Sequence, residues 1–106
     1  MIRACISTAG NVLSLELEGH AACAPAGHDL VCAAVSTLAF AMDAYLDKEG
    51  LSVMRQETVL KPGRAKISVA TVTQEEQRLR GVFEFAEAFL TLLEESYPEN
   101  IELSAR

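Results

Sequence analysis

The chain has 106 residues, half of them apolar, and a formal net charge of −6. A chain of this length forms one domain, residues 1–106, and buries roughly two-thirds of its surface, so its core needs no metal ion or disulfide. The acidic charge argues against direct nucleic-acid binding, which requires a basic surface; it is compatible with solubility or with attraction of a basic partner.

The first two predicted elements form a β-hairpin. Apolar residues alternate with polar ones on either side of a turn at Gly10 and Asn11, and the second strand stops at Gly19. This alternation predicts two strands with one buried face. The inward-facing residues are Ile2, Ala4, Ile6, Leu13, Leu15 and Leu17.

The start of the chain and the cysteines both bear on the cellular compartment. The N-terminal segment lacks the apolar core of a signal peptide. The three cysteines, at positions 5, 23 and 32, include no Cys-x-x-Cys pair and favour free thiols in a reducing compartment. We therefore expect a cytoplasmic protein, in which Cys5 and Cys23 are structural or incidental.

Residues 19–27 have the sequence Gly-His-Ala-Ala-Cys-Ala-Pro-Ala-Gly, which has neither helical nor strand periodicity. This composition predicts a mobile surface loop. A helix is predicted over residues 30–49, with Asp29 as its N-cap and Gly50 at its end. Its apolar residues surround most of its circumference, which predicts a central helix covered by more than one neighbour. Its most apolar segment, residues 30–42, is shorter than the roughly 20 residues of a membrane span, so no membrane contact is expected.

The second half of the chain repeats the pattern of a hairpin followed by a helix. Residues 53–60 and 65–71 are predicted strands, and Lys61-Pro62-Gly63-Arg64 has the composition of a type II turn. Thr73-Gln74-Glu75-Glu76 resembles a capping box, a helical apolar stripe follows, and Pro98 ends it. Ile101 and Leu103 indicate a short last strand. The order ββαββαβ predicts an α+β fold with two helices on one face of a mostly antiparallel sheet.

The residues that could take part in a reaction lie in or next to the predicted loop. His20 and His28 are the only histidines, both flank this loop, and Cys32 follows. With Asp29 as the N-cap, Cys32 is predicted to be the third helical residue, where free N–H groups and the helix dipole stabilise a thiolate. A nearby histidine as base and helix N–H groups as oxyanion donors would complete the groups needed for acyl transfer. The alternative is that Cys32 is only a small buried apolar side chain.

Two motifs resemble the signature of the bacterial ribosomal-processing cysteine proteases, the Prp family. They are Gly19-His20-Ala21 and the segment Gly27-His28-Asp29-Leu30-Val31-Cys32-Ala33-Ala34-Val35-Ser36. The resemblance implies that Cys32 is the nucleophile and His20 the catalytic histidine. Asp29 and Ser36 become supporting residues, and His28 receives no role.

The same resemblance implies a substrate and an assembly. The substrate is the N-terminal extension of a large-subunit ribosomal protein, and the enzyme is a homodimer. We expect no cofactor and no metal. A loop ordered by substrate gates the site. Its residues are Gly19, Ala21, Ala22, Cys23, Ala24, Pro25, Ala26 and Gly27.

The supporting residues each have a simpler interpretation. Asp29 caps a helix by its position alone, and this role is compatible with orienting His20. Ser36 lies four residues after Cys32, so both side chains share one helix face. Its hydroxyl could instead bond to the carbonyl of Cys32, as serines within helices often do.

Two other functions remain open. His20, Cys23, His28 and Cys32 are a zinc-compatible set, although only four residues separate the two His/Cys pairs. The second is a non-catalytic interaction module, such as a ribosome-assembly factor, binding a basic partner through acidic residues on the outer face of the second helix. Those residues are Glu84, Glu87, Glu94 and Glu95.

Overall fold

The structure is a computed structural model that describes residues 1–19, 26–51, 54–72 and 74–105, with only the backbone described at residues 26–29. The observed order of elements is the predicted ββαββαβ. The elements are β1 (Ile2–Ala9), β2 (Val12–Glu18), α1 (Ala26–Lys48), β3 (Arg55–Lys61), β4 (Arg64–Ala70), α2 (Glu76–Ser96) and β5 (Ile101–Ala105).

The described strands form one sheet in the order β3-β4-β2-β1-β5. The β1–β2, β2–β4 and β3–β4 pairs are antiparallel, whereas β1 and β5 are parallel. Ile2 lies opposite Ile101, and the Ile2 N–H donates to the Asn100 carbonyl at 2.9 Å. The sheet is therefore mixed and mostly antiparallel, and its interior strand β1 pairs with both β2 and the last described element, β5.

The alternation of apolar residues along the strands places them on the sheet face that both helices cover. These side chains are almost completely buried and form one cluster with the buried faces of α1 and α2. Each fully buried aliphatic side chain contributes roughly 1.5–3 kcal/mol of hydrophobic stabilisation. The strand residues in this cluster are Ile2, Ala4, Ile6, Leu13, Leu15, Leu17, Ile67, Val69 and Ile101.

The helix α1 begins at Ala26, four residues earlier than predicted. Asp29 is therefore inside the helix, and its predicted role as the N-cap is wrong. Residues 26 and 27, predicted to belong to the loop, are helical. In the sequence Pro25 directly precedes the first helical residue, a place that suits proline because the first helical N–H groups have no partner within the helix. The rest of the predicted loop, residues 20–25, lies outside the described residues.

The helix α1 buries one face only, contrary to the predicted coverage on several sides. Leu30 and Phe40 are each 59% exposed, so part of the apolar surface stays open. Over Leu30–Lys48 the helix is long and apolar enough to cross a membrane, so the length argument made from residues 30–42 does not apply to the whole helix. Its buried residues pack into the core. They are Val31, Val35, Leu38, Ala39, Met42 and Leu46.

The second helix, α2, has the predicted apolar stripe but a different start. Leu79, Phe83, Ala86 and Leu90 are buried along it. Its N-cap is Glu75, which makes no side-chain capping hydrogen bond, so the predicted capping box is wrong as a description of this helix start. Thr73, which would begin that motif, lies outside the described residues.

Arg55 on β3 fixes the position of α1 over the β3–β4 hairpin. Its guanidinium donates to the Asp43 carboxylate, to the Asp43 carbonyl at 2.9 Å and to the Asp47 carboxylate at 3.0 Å. The side chain is only 16% exposed. A guanidinium with several charged acceptors and little exposure contributes more than an ordinary surface ion pair. This cluster therefore helps to set the distance between α1 and the hairpin.

Candidate active site

A groove of about 550 Å³ lies between α1 and the β3–β4 hairpin. Residues at the ends of β1 and β2 complete its lining. The groove is mainly apolar, with polar groups at Cys32, Ser36 and the hairpin turn. Its lining residues are Ile2, Leu17, Gly19, Cys32, Val35, Ser36, Ala39, Phe40, Leu60, Lys61, Pro62, Gly63, Arg64 and Ala65.

Cys32 and Ser36 lie one helical turn apart on the wall that α1 contributes. Cys32 carries a free thiol, is partly buried and packs against the core, whereas Ser36 is exposed. Within the described part of the chain, the Ser36 hydroxyl does not bond to the Cys32 carbonyl. Thr37 makes the equivalent bond instead, donating to the Ala33 carbonyl at 2.8 Å. The Ser36 hydroxyl thus remains available on the groove wall.

The position of Cys32 relative to the helix start differs from the prediction. Cys32 is the seventh residue of α1 and lies in its second turn. The N–H groups without an intrahelical partner belong to the first turn, and the dipole effect decays within that turn. The prediction that the helix start stabilises a Cys32 thiolate and an oxyanion is therefore wrong, because Cys32 lies one turn too far along α1. Activation of the thiol then depends more strongly on a nearby base.

Gly19, the residue before His20, lines the groove. Its φ is +107°, and a Cβ at this position would overlap the carbonyl oxygen of Met1. Its N–H donates to the Gly63 carbonyl at 3.0 Å. Only glycine fits between the first residue of the chain and the hairpin turn in this conformation. His20 follows Gly19 directly in the sequence, so the first described part of the chain ends at the groove before this residue.

The other predicted site residues fall where the structure gives no side chains. His20, Ala21, Ala22, Cys23, Ala24 and Pro25 lie outside the described residues. For Ala26, Gly27, His28 and Asp29 only the helical backbone is described. The catalytic role of His20 and the supporting role of Asp29 therefore remain predictions.

The zinc alternative also depends on this segment, which contains three of its four proposed ligands. In residues 1–19, 26–51, 54–72 and 74–105, no three His, Cys, Asp or Glu side chains are grouped so that they could hold a metal ion. Cys5, the other described free thiol, is on β1, in the strand pattern whose alternate residues face away from the helices. It does not line the groove with Cys32.

Phe40 and Arg64 are among the groove residues that were not predicted from the sequence. Phe40 could have been identified as an aromatic residue that lies off the buried stripe of α1. Arg64 was recognised only as part of a turn, because local sequence does not show which elements that turn meets in space.

An α+β domain that presents a free thiol in an open groove has the features that a small cysteine protease requires, namely a nucleophile and a place for substrate. Comparison with known proteins assigns this domain to a family. The sequence model of the family described as cysteine protease Prp matches residues 1–102. The chain therefore belongs to the cysteine protease Prp family, as the two motifs predicted.

Three solved structures are similar to the whole chain. SMU.848 from Streptococcus mutans is 31% identical, with a TM-score of 0.75 over 99% of this chain and 93% of that one. The ribosomal processing protease Prp from S. aureus with a substrate peptide is 24% identical, with a TM-score of 0.77 over 100% of both chains. The same protease with a covalently linked product peptide is 26% identical, with a TM-score of 0.74 over 100% of both. These structures agree with the α+β fold. Comparison with curated proteins gave no significant match.

Proposed function

We propose that this protein is a cysteine endopeptidase that removes the N-terminal extension of a large-subunit ribosomal protein. The observation that carries the proposal is that the free thiol of Cys32 and Gly19, the residue before His20, line the same groove. Membership of the Prp family supports the reaction class. The S. aureus relative, a ribosomal processing protease, was crystallised with a substrate peptide, which supports a peptide ligand in this fold.

In the proposed reaction, the Cys32 sulfur attacks the carbonyl carbon of the scissile peptide bond while His20 takes up the thiol proton. The tetrahedral intermediate collapses to a thioester as the C–N bond breaks, and His20 gives the proton to the leaving amine. Water then attacks the thioester and gives a proton to His20. The thiolate leaves, recovers that proton, and the second product departs with a new carboxyl group.

The groove supplies an environment suited to this reaction. Val35, Ala39 and Phe40 make much of the α1 wall apolar, so a bound peptide would displace water from around the thiol. We assign Asp29 to orienting His20 and Ser36 to a polar contact beside Cys32. Residues 19–25, the part of the predicted loop that precedes α1, act in this proposal as the segment that closes over bound substrate.

The same proposal includes the cellular compartment, the oligomeric state and the binding partner of the enzyme. We place it in the cytoplasm as a homodimer that requires no cofactor and does not bind nucleic acid directly. Its net charge of −6 would attract a basic ribosomal protein. Light scattering of the purified protein tests the assembly, and a molecular mass near that of one chain would contradict the homodimer.

The decisive experiment is incubation with a peptide covering the N-terminal extension of the matching ribosomal protein, with products identified by mass spectrometry. Cys32→Ser and His20→Ala should each lower the cleavage rate by at least roughly 10³-fold, because both residues act in bond breaking. Cys5→Ser is the matched control, since Cys5 is also a partly buried free thiol but lies outside the groove. This control should cleave at the wild-type rate.

The other functions would give different results. Full cleavage by the Cys32→Ser variant would overturn the protease proposal. Peptide binding by the wild type without any cleavage would favour a non-catalytic interaction module. Near-stoichiometric zinc in purified protein would favour the metal site formed from the histidines and cysteines around the loop.

A further inference from the structure

Arg64, the first residue of β4, lines the groove, and one of its hydrogen-bond donors has no partner among the described residues. Its Nε atom is buried, and among the described residues it has no hydrogen-bond partner. The Glu18 carboxylate is 3.8 Å away, close enough for an ion pair but too far for a hydrogen bond. Nε itself is therefore closed off from the groove, whereas the side chain as a whole is 39% exposed, so a partner in the groove would bond to the terminal nitrogens.

The position of Arg64 indicates where that partner would come from. Arg64 directly follows Gly63, whose carbonyl accepts the N–H of Gly19. The guanidinium therefore belongs to the part of the groove at which the chain leads on to His20. Lys61, from the same turn, also lines the groove. The hairpin wall thus carries two cationic side chains, whereas the facing wall of α1 is mainly apolar.

We propose that Arg64 is a substrate-binding residue whose guanidinium donates a hydrogen bond to a main-chain carbonyl of the peptide in the groove. This inference rests on the proposed function and extends it to the way in which the peptide is held. An extended peptide presents a carbonyl acceptor at every residue, whatever its sequence. Arginine has five N–H donors in a planar arrangement, so the terminal nitrogens can bond to the peptide while Nε faces Glu18 at 3.8 Å.

The test measures kcat and KM for the ribosomal-protein peptide with three variants. Arg64→Met keeps most of the side-chain length but removes every donor, and Arg64→Lys restores one charged donor group. Arg80→Met is the matched control. Arg80 is 38% exposed and 3.8 Å from Glu76, whereas Arg64 is 39% exposed and 3.8 Å from Glu18. Arg80, however, is on α2 and does not line the groove.

Arg64→Met should raise KM about tenfold and change kcat by less than about twofold, which is the loss expected for one hydrogen bond from a charged donor. Arg64→Lys should recover part of the affinity. Arg80→Met should leave both constants unchanged. A purely structural role of Arg64 would instead lower the melting temperature and leave KM for the folded enzyme unchanged.

The results separate this inference from the function on which it rests. Wild-type cleavage with an unchanged KM in Arg64→Met overturns the inference alone. No cleavage by the wild type overturns the proposed function and the inference with it. An alanine scan of the peptide tests the main-chain acceptor. If one alanine replacement abolishes the effect of Arg64→Met, the acceptor is that side chain and the main-chain assignment is wrong.

Discussion

The N–H of Gly19 donates to the carbonyl of Gly63 over 3.0 Å, which joins the end of β2 to the turn of the β3–β4 hairpin. Both glycines line the groove, and both have positive φ angles. This contact fixes the direction in which the chain leaves the sheet toward His20. It therefore connects the hairpin that forms one groove wall to the proposed catalytic histidine.

Gly19→Ala should impair both stability and activity. The new Cβ would overlap the Met1 carbonyl oxygen, and the φ of +107° is unfavourable for alanine. We expect unfolding free energy to fall by roughly 1–3 kcal/mol because the backbone must shift or remain strained. The shift would displace His20 and lower kcat in the fraction that stays folded. Urea denaturation and peptide cleavage measure the two effects.

Two other glycines serve as controls for this substitution. Gly10 has a φ of +61° but no atom within 4 Å of an added Cβ, so Gly10→Ala measures the effect of φ without a collision. Gly81 is in α2, with open space around it, and Gly81→Ala should stabilise the protein by about 0.5–1 kcal/mol. If Gly19→Ala loses no more stability than Gly10→Ala, the close approach to Met1 is not what requires glycine.

Phe40→Ala should weaken substrate binding without destabilising the fold. Phe40 lines the groove and is 59% exposed, so little of its ring is buried in the core. Loss of its contact with an apolar peptide side chain should raise KM by up to about tenfold. The unfolding free energy should change by less than about 1 kcal/mol. Steady-state kinetics and urea denaturation are the measurements.

Phe83→Ala is the matching substitution in the core. Phe83 is 3% exposed on the buried face of α2, so its removal should cost about 3–5 kcal/mol of stability. The pair contrasts one aromatic side chain used for binding with another used for packing. An unchanged KM in Phe40→Ala would contradict a role for this ring in peptide binding.

Glu94→Ala should destabilise the edge of the sheet. Glu94 is one of the acidic residues of α2 that the sequence suggested as an outer surface for a basic partner. In the structure its carboxylate accepts the N–H of Leu103 on β5 at 2.8 Å. Removing this charged acceptor should lower the unfolding free energy by about 1–2 kcal/mol, and Glu94→Gln should lose less because its amide oxygen still accepts.

Glu95 provides the comparison for Glu94. It is the next residue of α2, is exposed, and makes no ion pair within the described ranges of the chain. Glu95→Ala should change stability by no more than about 0.5 kcal/mol. Equal effects of Glu94→Ala and Glu95→Ala in urea denaturation would show that the bond to β5 contributes nothing specific.

The elements that could be predicted from sequence are those with a strong local pattern. Alternating apolar residues marked β1 and β2, and the stripe from Leu79 to Leu90 marked α2. The predicted start of α1 was four residues too late. Aspartate is a common N-cap residue, which favoured Asp29, whereas the alanines before it show no helical periodicity. Pro25 was the better signal, since proline commonly occurs at a helix start.

The site could be predicted only in part. The motifs around His20 and Cys32 identified the family, but the groove requires the β3–β4 hairpin to lie beside the end of β2. That neighbour relation comes from the strand order, which no local pattern encodes. For the same reason, the parallel pairing of β1 with β5 could not be foreseen from the residues at positions 101–105.

The parallel pairing of β1 with β5 has a consequence for how the enzyme matures. Because β5 follows β1 by about a hundred residues in the chain, β1 acquires one of its two neighbours only after residues 101–105 have emerged from the ribosome. Ile2, which lines the groove, pairs with Ile101 in this ladder. Pairing between strands so far apart in the sequence slows folding and delays its completion until the end of the domain has been synthesised. With the function proposed above, proteolytic competence should appear only after translation of the fifth strand, so nascent chains would not cleave the proposed substrate.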